Sequence, residues 1–160
     1  MPSTPPSLAD RLVETWRINH RVTLKLLDGL DDYALNATLS QRGGRDIARQ
    51  LAHVHEVRTA WFRKADVPKG ITKFAKGESP SKPALRQALN ESSEAMERLI
   101  RRACEDDGVV GGFKRDIVAL LGYLIAHESH HRGSILLTAK QTGHSLGEDL
   151  RWGLWAWDKI

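Results

Sequence analysis

Two histidines stand four residues apart in "GYLIAHESHHRGSIL", His127 and His131, and a third, His53, lies upstream in "RQLAHVHEVRTAWF". Both stretches carry helical periodicity. Residues at i and i+4 on a helix have Cβ atoms ~5–6 Å apart, so two imidazoles at that spacing can tilt towards one ion, each bonding at ~2.0–2.1 Å. A neighbouring helix carrying His53 supplies a third nitrogen, as helical bundles do when they build metal sites from inward side chains. Neutral imidazoles suit Zn, Ni, Cu or Fe better than Mg or Ca. Three of them leave at least one position for water or substrate, where an ion lowers the pKa of a bound group or polarises a substrate atom. The plainer alternative is that these are ordinary core or surface histidines.

His127, Glu128 and His131 also spell H-E-x-x-H, in which the glutamate of a zinc protease activates metal-bound water. That class needs a third downstream ligand and an edge strand for its peptide. The only later histidine is His144, beside Gly143, and no strand pattern is evident. Glu128 and Glu56 are each candidates to orient a ligand imidazole through its other N–H. Each also reads as a solvated surface acid. His55 and His130 point away from their neighbours and read as non-ligands.

Four amphipathic helices must position these residues. The first spans about 8–30, with Ser7 and Asp10 as a start signal and Leu12, Trp16, Leu26, Leu27 and Leu30 on one face. Asn19 and Thr23 interrupt that face and suggest a polar pocket at mid-helix, with His20 at its edge. The second spans about 46–64 and carries His53. A long connection rich in Gly, Pro and Lys follows, a linker or a cover over one end of a bundle. The third helix runs about 83–105 behind Ser81, with Leu85, Leu89, Met96, Leu99 and Ile100 facing inward. The fourth runs about 115–141, its inner face reading Leu120, Leu124, His127, His131, Ile135, and Gly143 closes it. The fold class is therefore all-α, a four-helix bundle in a single domain over 1–160. The long connection permits a course other than simple up-down-up-down.

The chain is long enough to bury a core without disulfides or a structural metal. Its composition, 41% hydrophobic and 28% charged, is that of an ordinary soluble protein. The lone cysteine, Cys104, and an N-terminus without signal-peptide character predict a cytoplasmic protein. The longest apolar run, "IVALLGYLIA", is too short to span a bilayer. A net charge of +4 is spread along the chain among acids and forms no stripe with interleaved aromatics, which argues against nucleic acid.

The segments "LAHVHEVRTAWF", "AHESHHRGSILLTAKQTGH" and "RWGLWAWDK" resemble the DinB family, the damage-inducible or DinB/YfiT-like metalloenzymes, and the helical outline matches across nearly the whole chain. Ser134 stands where members typically carry glutamine. The resemblance implies an up-down-down-up four-helix bundle, often dimeric, with a metal, usually zinc or nickel, held by His53, His127 and His131. The wider superfamily includes bacillithiol- and mycothiol-dependent transferases and isomerases.

Two functions compete. The first is an enzyme in which the metal activates a low-molecular-weight thiol for transfer to an electrophilic small molecule; Arg49 and Arg132 are candidates to hold an acidic cofactor. The second is a non-catalytic metal-binding or stress-response protein, with His20 closing the site as fourth ligand. Trp152, Trp155 and Trp157 carry too much apolar area for a free tail, so the tail should pack on something.

Overall fold

Each long helix begins where a short polar side chain accepts a hydrogen bond from a free backbone N–H. In the computed structural model, which describes residues 5–63 and 67–160, α1 spans Leu8–Gly29. Ser7 and Asp10 cap it reciprocally: the Asp10 N–H donates to Ser7 Oγ at 3.1 Å and the Ser7 N–H to Asp10 Oδ2 at 3.2 Å. A four-residue helix, α2 (Asp32–Leu35), leads towards α3 (Ile47–Ala60), which Asp46 caps through the Arg49 N–H. Ser81 caps α4 (Lys82–Glu105), with Pro83 in the first turn. Asp116 caps α5 (Ile117–Gln141). Gly143, at φ 85°, ends α5, and the His144 N–H closes the turn on the Ala139 carbonyl at 2.8 Å. A last short helix, α6, covers Glu148–Gly153. No strand forms among the described residues beyond one isolated bridge, Val109 with Asp116.

The helix bounds match the expected ones closely, except that α3 stops at Ala60 rather than near position 64. The Phe62 N–H turns back to the Thr59 carbonyl, which brings Phe62 into the core. The loop after α4 then crosses this end: a Cβ on Gly112 would lie 2.5 Å from the Trp61 carbonyl oxygen, so only glycine fits. The expected end of the helix at Lys64 lies outside the described residues.

The four long helices form a bundle in which α1 packs on α4 and α5, and α3 packs on the same two. Two apolar clusters fill it. One contains Leu26, Leu27, Leu51, Leu85, Leu89 and Ile135, and the other Val13, Trp16, Met96, Ile100, Leu120 and Leu124. Burying each such side chain contributes roughly 1.5–3 kcal/mol. A layer of buried polar groups separates the clusters: Asn19 and Thr23 from α1, Arg58 from α3, and Glu128 and Arg132 from α5.

That layer corrects the expected inner face of α5. The stripe that faces the core is Leu120, Leu124, Glu128, His131, Ile135, with Glu128 only 1% exposed. His127 lies at its edge, half-buried. The bland expectation of a solvated surface acid fails at Glu128, because Arg58, Asn19, Thr23 and Arg132 surround the carboxylate and make its burial tolerable.

The connection between α3 and α4 is strapped to both helices. His55 Nε2 meets the Thr72 carbonyl at 2.9 Å, Glu91 accepts from the Thr72 N–H, and Ser79 Oγ donates to Asp46. The tail docks through Leu150, Leu154 and Trp157. Gly29 admits Leu150, whose Cδ2 would lie 2.0 Å from a Cβ there, and Leu154 and Trp157 join the first cluster. Trp152 and Trp155 remain 72% and 78% exposed. The tail thus packs, but through one of its three tryptophans. No helix among the described residues is long and apolar enough to cross a membrane.

Candidate metal centre

His53 on α3 and His127 and His131 on α5 meet at the seam between those helices. One ring nitrogen of each lies within 4.8 Å of the others. The ring centroids are 5.3 Å (His53–His127), 5.2 Å (His53–His131) and 4.6 Å (His127–His131) apart. Nδ1 of both His127 and His131 is buried without a hydrogen-bond partner, leaving polar capacity unused on these rings. Bonds of ~2.0–2.1 Å to one ion require the nitrogens to lie closer together than this 4.8 Å limit. The donor set fits a divalent transition ion.

Electrostatics keep the rings neutral, the form a ligand needs. Burial, reinforced by His127 and His53, pushes His131 down to about 4. Burial also lowers His53 and His127. The Arg45 guanidinium opposes protonation of all three. Beside the centre, the Tyr123 ring stacks on His127 at 6.1 Å, and Trp61 and Phe113 continue an aromatic wall from it.

The other predicted site residues divide. Glu56 Oε2 lies 3.8 Å from His53 Nδ1, outside hydrogen-bond range, on a side chain that is 56% exposed. Glu128 makes no hydrogen bond or ion pair with an imidazole of the cluster. Its Oε1 accepts from Arg58 Nε at 2.7 Å, and its Oε2 accepts from Arg58 Nη2, Asn19 Nδ2 and Thr23 Oγ1, each at 2.9 Å. It therefore neither orients a ligand imidazole nor activates water, which removes the metalloprotease reading of H-E-x-x-H. Burial pushes its carboxyl pKa up, but Arg58, Arg132 and Thr23 outweigh that and hold it below the ordinary value.

Asn19 and His20 belong to the same polar layer. Asn19 Oδ1 accepts from Arg132 Nη1 at 2.9 Å. His20 Nδ1 faces Arg58 Nη1 at 3.2 Å and its Nε2 faces Asn90 Oδ1 at 3.0 Å. His20 thus does not join the three histidines. Arg132 lies inside the layer rather than at the metal centre, and Arg49 is engaged by Asp46 and the Gly44 carbonyl. Sequence reasoning missed Arg58, which is fully buried and lies 4.9 Å above the Trp16 ring. Its only sequence signal is a position three turns of α3 along from the capped start, on the face that carries Leu51 and Val54.

His20 yields a pH prediction. Burial, with Arg58 alongside, lowers its pKa from 6.5 to about 4. Between those values the unfolded chain binds a proton that the folded one refuses. The contribution of His20 to stability is therefore full above roughly pH 6.5 and is lost as pH falls towards 4, with a slope approaching ~1.4 kcal/mol per pH unit. Urea unfolding of metal-free protein across this window should show the decline, and His20→Gln should flatten part of it. An equal slope in both proteins would remove His20 as the cause.

A family model described as the DinB family matches residues 4–155. The chain belongs to the DinB family. The match covers all four long helices, so the three histidines of this DinB-family chain lie within the matched region. No curated protein matches the chain.

Proposed function

We propose that this DinB-family chain is a metal-dependent transferase that joins a low-molecular-weight thiol, of the bacillithiol or mycothiol type, to an electrophilic small molecule. The observation that carries the reading is the convergence of three neutral imidazoles at a helix seam, with His20 engaged elsewhere rather than closing the set. Zinc or nickel is the ion expected, in a cytoplasmic homodimer. When bound, the metal supplies a lowered thiol pKa, so that the nucleophilic thiolate forms near neutral pH. The thiol proton passes to solvent, the sulfur forms a bond to the electrophilic carbon, and that carbon's bond to chloride or epoxide oxygen breaks.

The residues of the chain do the rest. His53, His127 and His131 hold the ion, and Glu56, 3.8 Å from His53 Nδ1, lies near enough to close a hydrogen bond to that ring by a side-chain rotation. Burial holds the imidazoles unprotonated, and Arg45 adds positive potential that reinforces this and favours an anionic sulfur. Tyr123, Trp61 and Phe113 offer an apolar wall against which an acceptor can lie. The test is incubation of fully metallated protein with several low-molecular-weight thiols and a chlorinated or epoxide acceptor. A thioether product that disappears on chelation is the expected result. Absence of product with every thiol overturns the transferase reading and leaves the metal centre standing.

A further inference from the structure

A cavity of about 330 Å³ opens between α5 and the C-terminal tail, lined by Ser129, Arg132, Leu136, Leu154, Trp155 and Trp157, with Gly133 beside them. It is not the metal centre. At 3.6 residues per turn, positions 129, 132, 133 and 136 lie on nearly the opposite face of α5 from 127 and 131. Its volume falls at the lower end of the range for small-molecule sites, and its lining has their usual character, apolar and aromatic walls with a few polar groups.

The charge balance of the polar layer says what such a ligand carries. Two guanidiniums, Arg58 and Arg132, share one carboxylate, Glu128, and no other acid among the described residues pairs with either. Arg58 takes both carboxylate oxygens at short range, 2.7 and 2.9 Å. Arg132 Nη1 is left at 3.6 Å from Glu128 Oε2 and donates instead to the neutral Asn19 and Thr23. His20 adds no compensating charge. The layer therefore holds one surplus positive charge, on a side chain that is 9% exposed. Buried charges are ordinarily paired, because an unpaired one is costly to desolvate. Arg132 lines the cavity, and its Nη2 donates to Ser129 Oγ at 2.8 Å on the same wall.

We propose that this cavity binds an organic monoanion with an aromatic or bulky apolar body. Its carboxylate lies on Arg132 and Ser129, and its body between Leu136, Leu154, Trp155 and Trp157. Charge complementarity selects the anion and the tryptophan walls select the body. Neither feature draws on the metal centre, so the proposal stands apart from the transferase reading.

Calorimetric titration of the full-length, metal-loaded chain with 3-phenylpropionate, beside the neutral 3-phenylpropionamide, tests it. A hydrogen bond to a charged group predicts a preference of about 10-fold or more for the acid. Arg132→Gln should erase that preference. Because Arg132 also serves the fold, Gly133→Leu is the second variant. A Cβ at Gly133 meets nothing within 4 Å, so the helix accepts a side chain there, and leucine at this lining position narrows the cavity. Its thermal unfolding and metal content should be unchanged while the acid binds at least about 10-fold more weakly. Equal affinity for acid and amide overturns the proposal, as does no binding of either or acid affinity unaffected by Gly133→Leu. Self-association of the wild type that Gly133→Leu abolishes also overturns it, since a second copy then occupies this face.

Discussion

Glu128→Ala should lower the free energy of unfolding by about 3–5 kcal/mol, because it strands charge in the middle of the bundle. The wild-type carboxylate receives hydrogen bonds from Arg58, Asn19 and Thr23 and lies 3.6 Å from Arg132. Without it, Arg58, fully buried, keeps only the Leu89 carbonyl, His20 and the Trp16 ring. A cation that cannot reach water and has lost its counter-charge costs far more than the net worth of the pair it leaves. The contrast that isolates the cause is Arg58→Met with Glu128→Leu, which removes both charges and should recover much of the loss. Urea unfolding of the metal-free proteins reads both. A loss below about 1 kcal/mol for Glu128→Ala would place it among ordinary surface substitutions and sink the argument.

His131→Ala should weaken divalent metal binding by more than the about 10–100-fold that loss of a group merely orienting a ligand causes. His131 is the most buried of the three imidazoles and the one pushed furthest towards neutrality, so its nitrogen is available to an ion throughout the physiological range. Two readouts bear on it. Elemental analysis should show stoichiometric metal in the wild type and little in His131→Ala or His53→Ala. Metal at about 100 times its Kd should also stabilise the wild type against unfolding by about 2.7 kcal/mol, and the variants by much less at the same concentration. Full metal retention by both variants would overturn the three-histidine centre. Glu128→Ala is the matching control, since its carboxylate contacts none of the three rings and its metal affinity should change less than theirs.

The helices were legible because their signals are local. Ser7 with Asp10, Ser81 and Gly143 each act within one turn of the chain, and apolar spacing marks the faces that Leu85, Leu89, Met96 and Ile100 bury. The histidine trio was partly legible for the same reason: i and i+4 spacing fixes the relation of His127 to His131 within one helix. That His53 meets them depends on how α3 packs against α5, which spacing along either helix does not contain.

The polar layer lay beyond sequence reasoning. Glu128 follows His127 directly, and only the placement of Arg58 on α3 and of Asn19 and Thr23 on α1 decides that the acid turns inward while the histidine lies at the edge. A charged residue reads as exposed until its partners are known, and those partners are 70 to 109 positions away along the chain. By itself, the sequence determined the four long helices, the capped starts of α1 and α4, the end of α5, most of the apolar faces and the pair of histidines on α5. Tertiary packing alone decided which polar residues the core could hold, because burial of charge is a property of the whole set of neighbours and not of any one position.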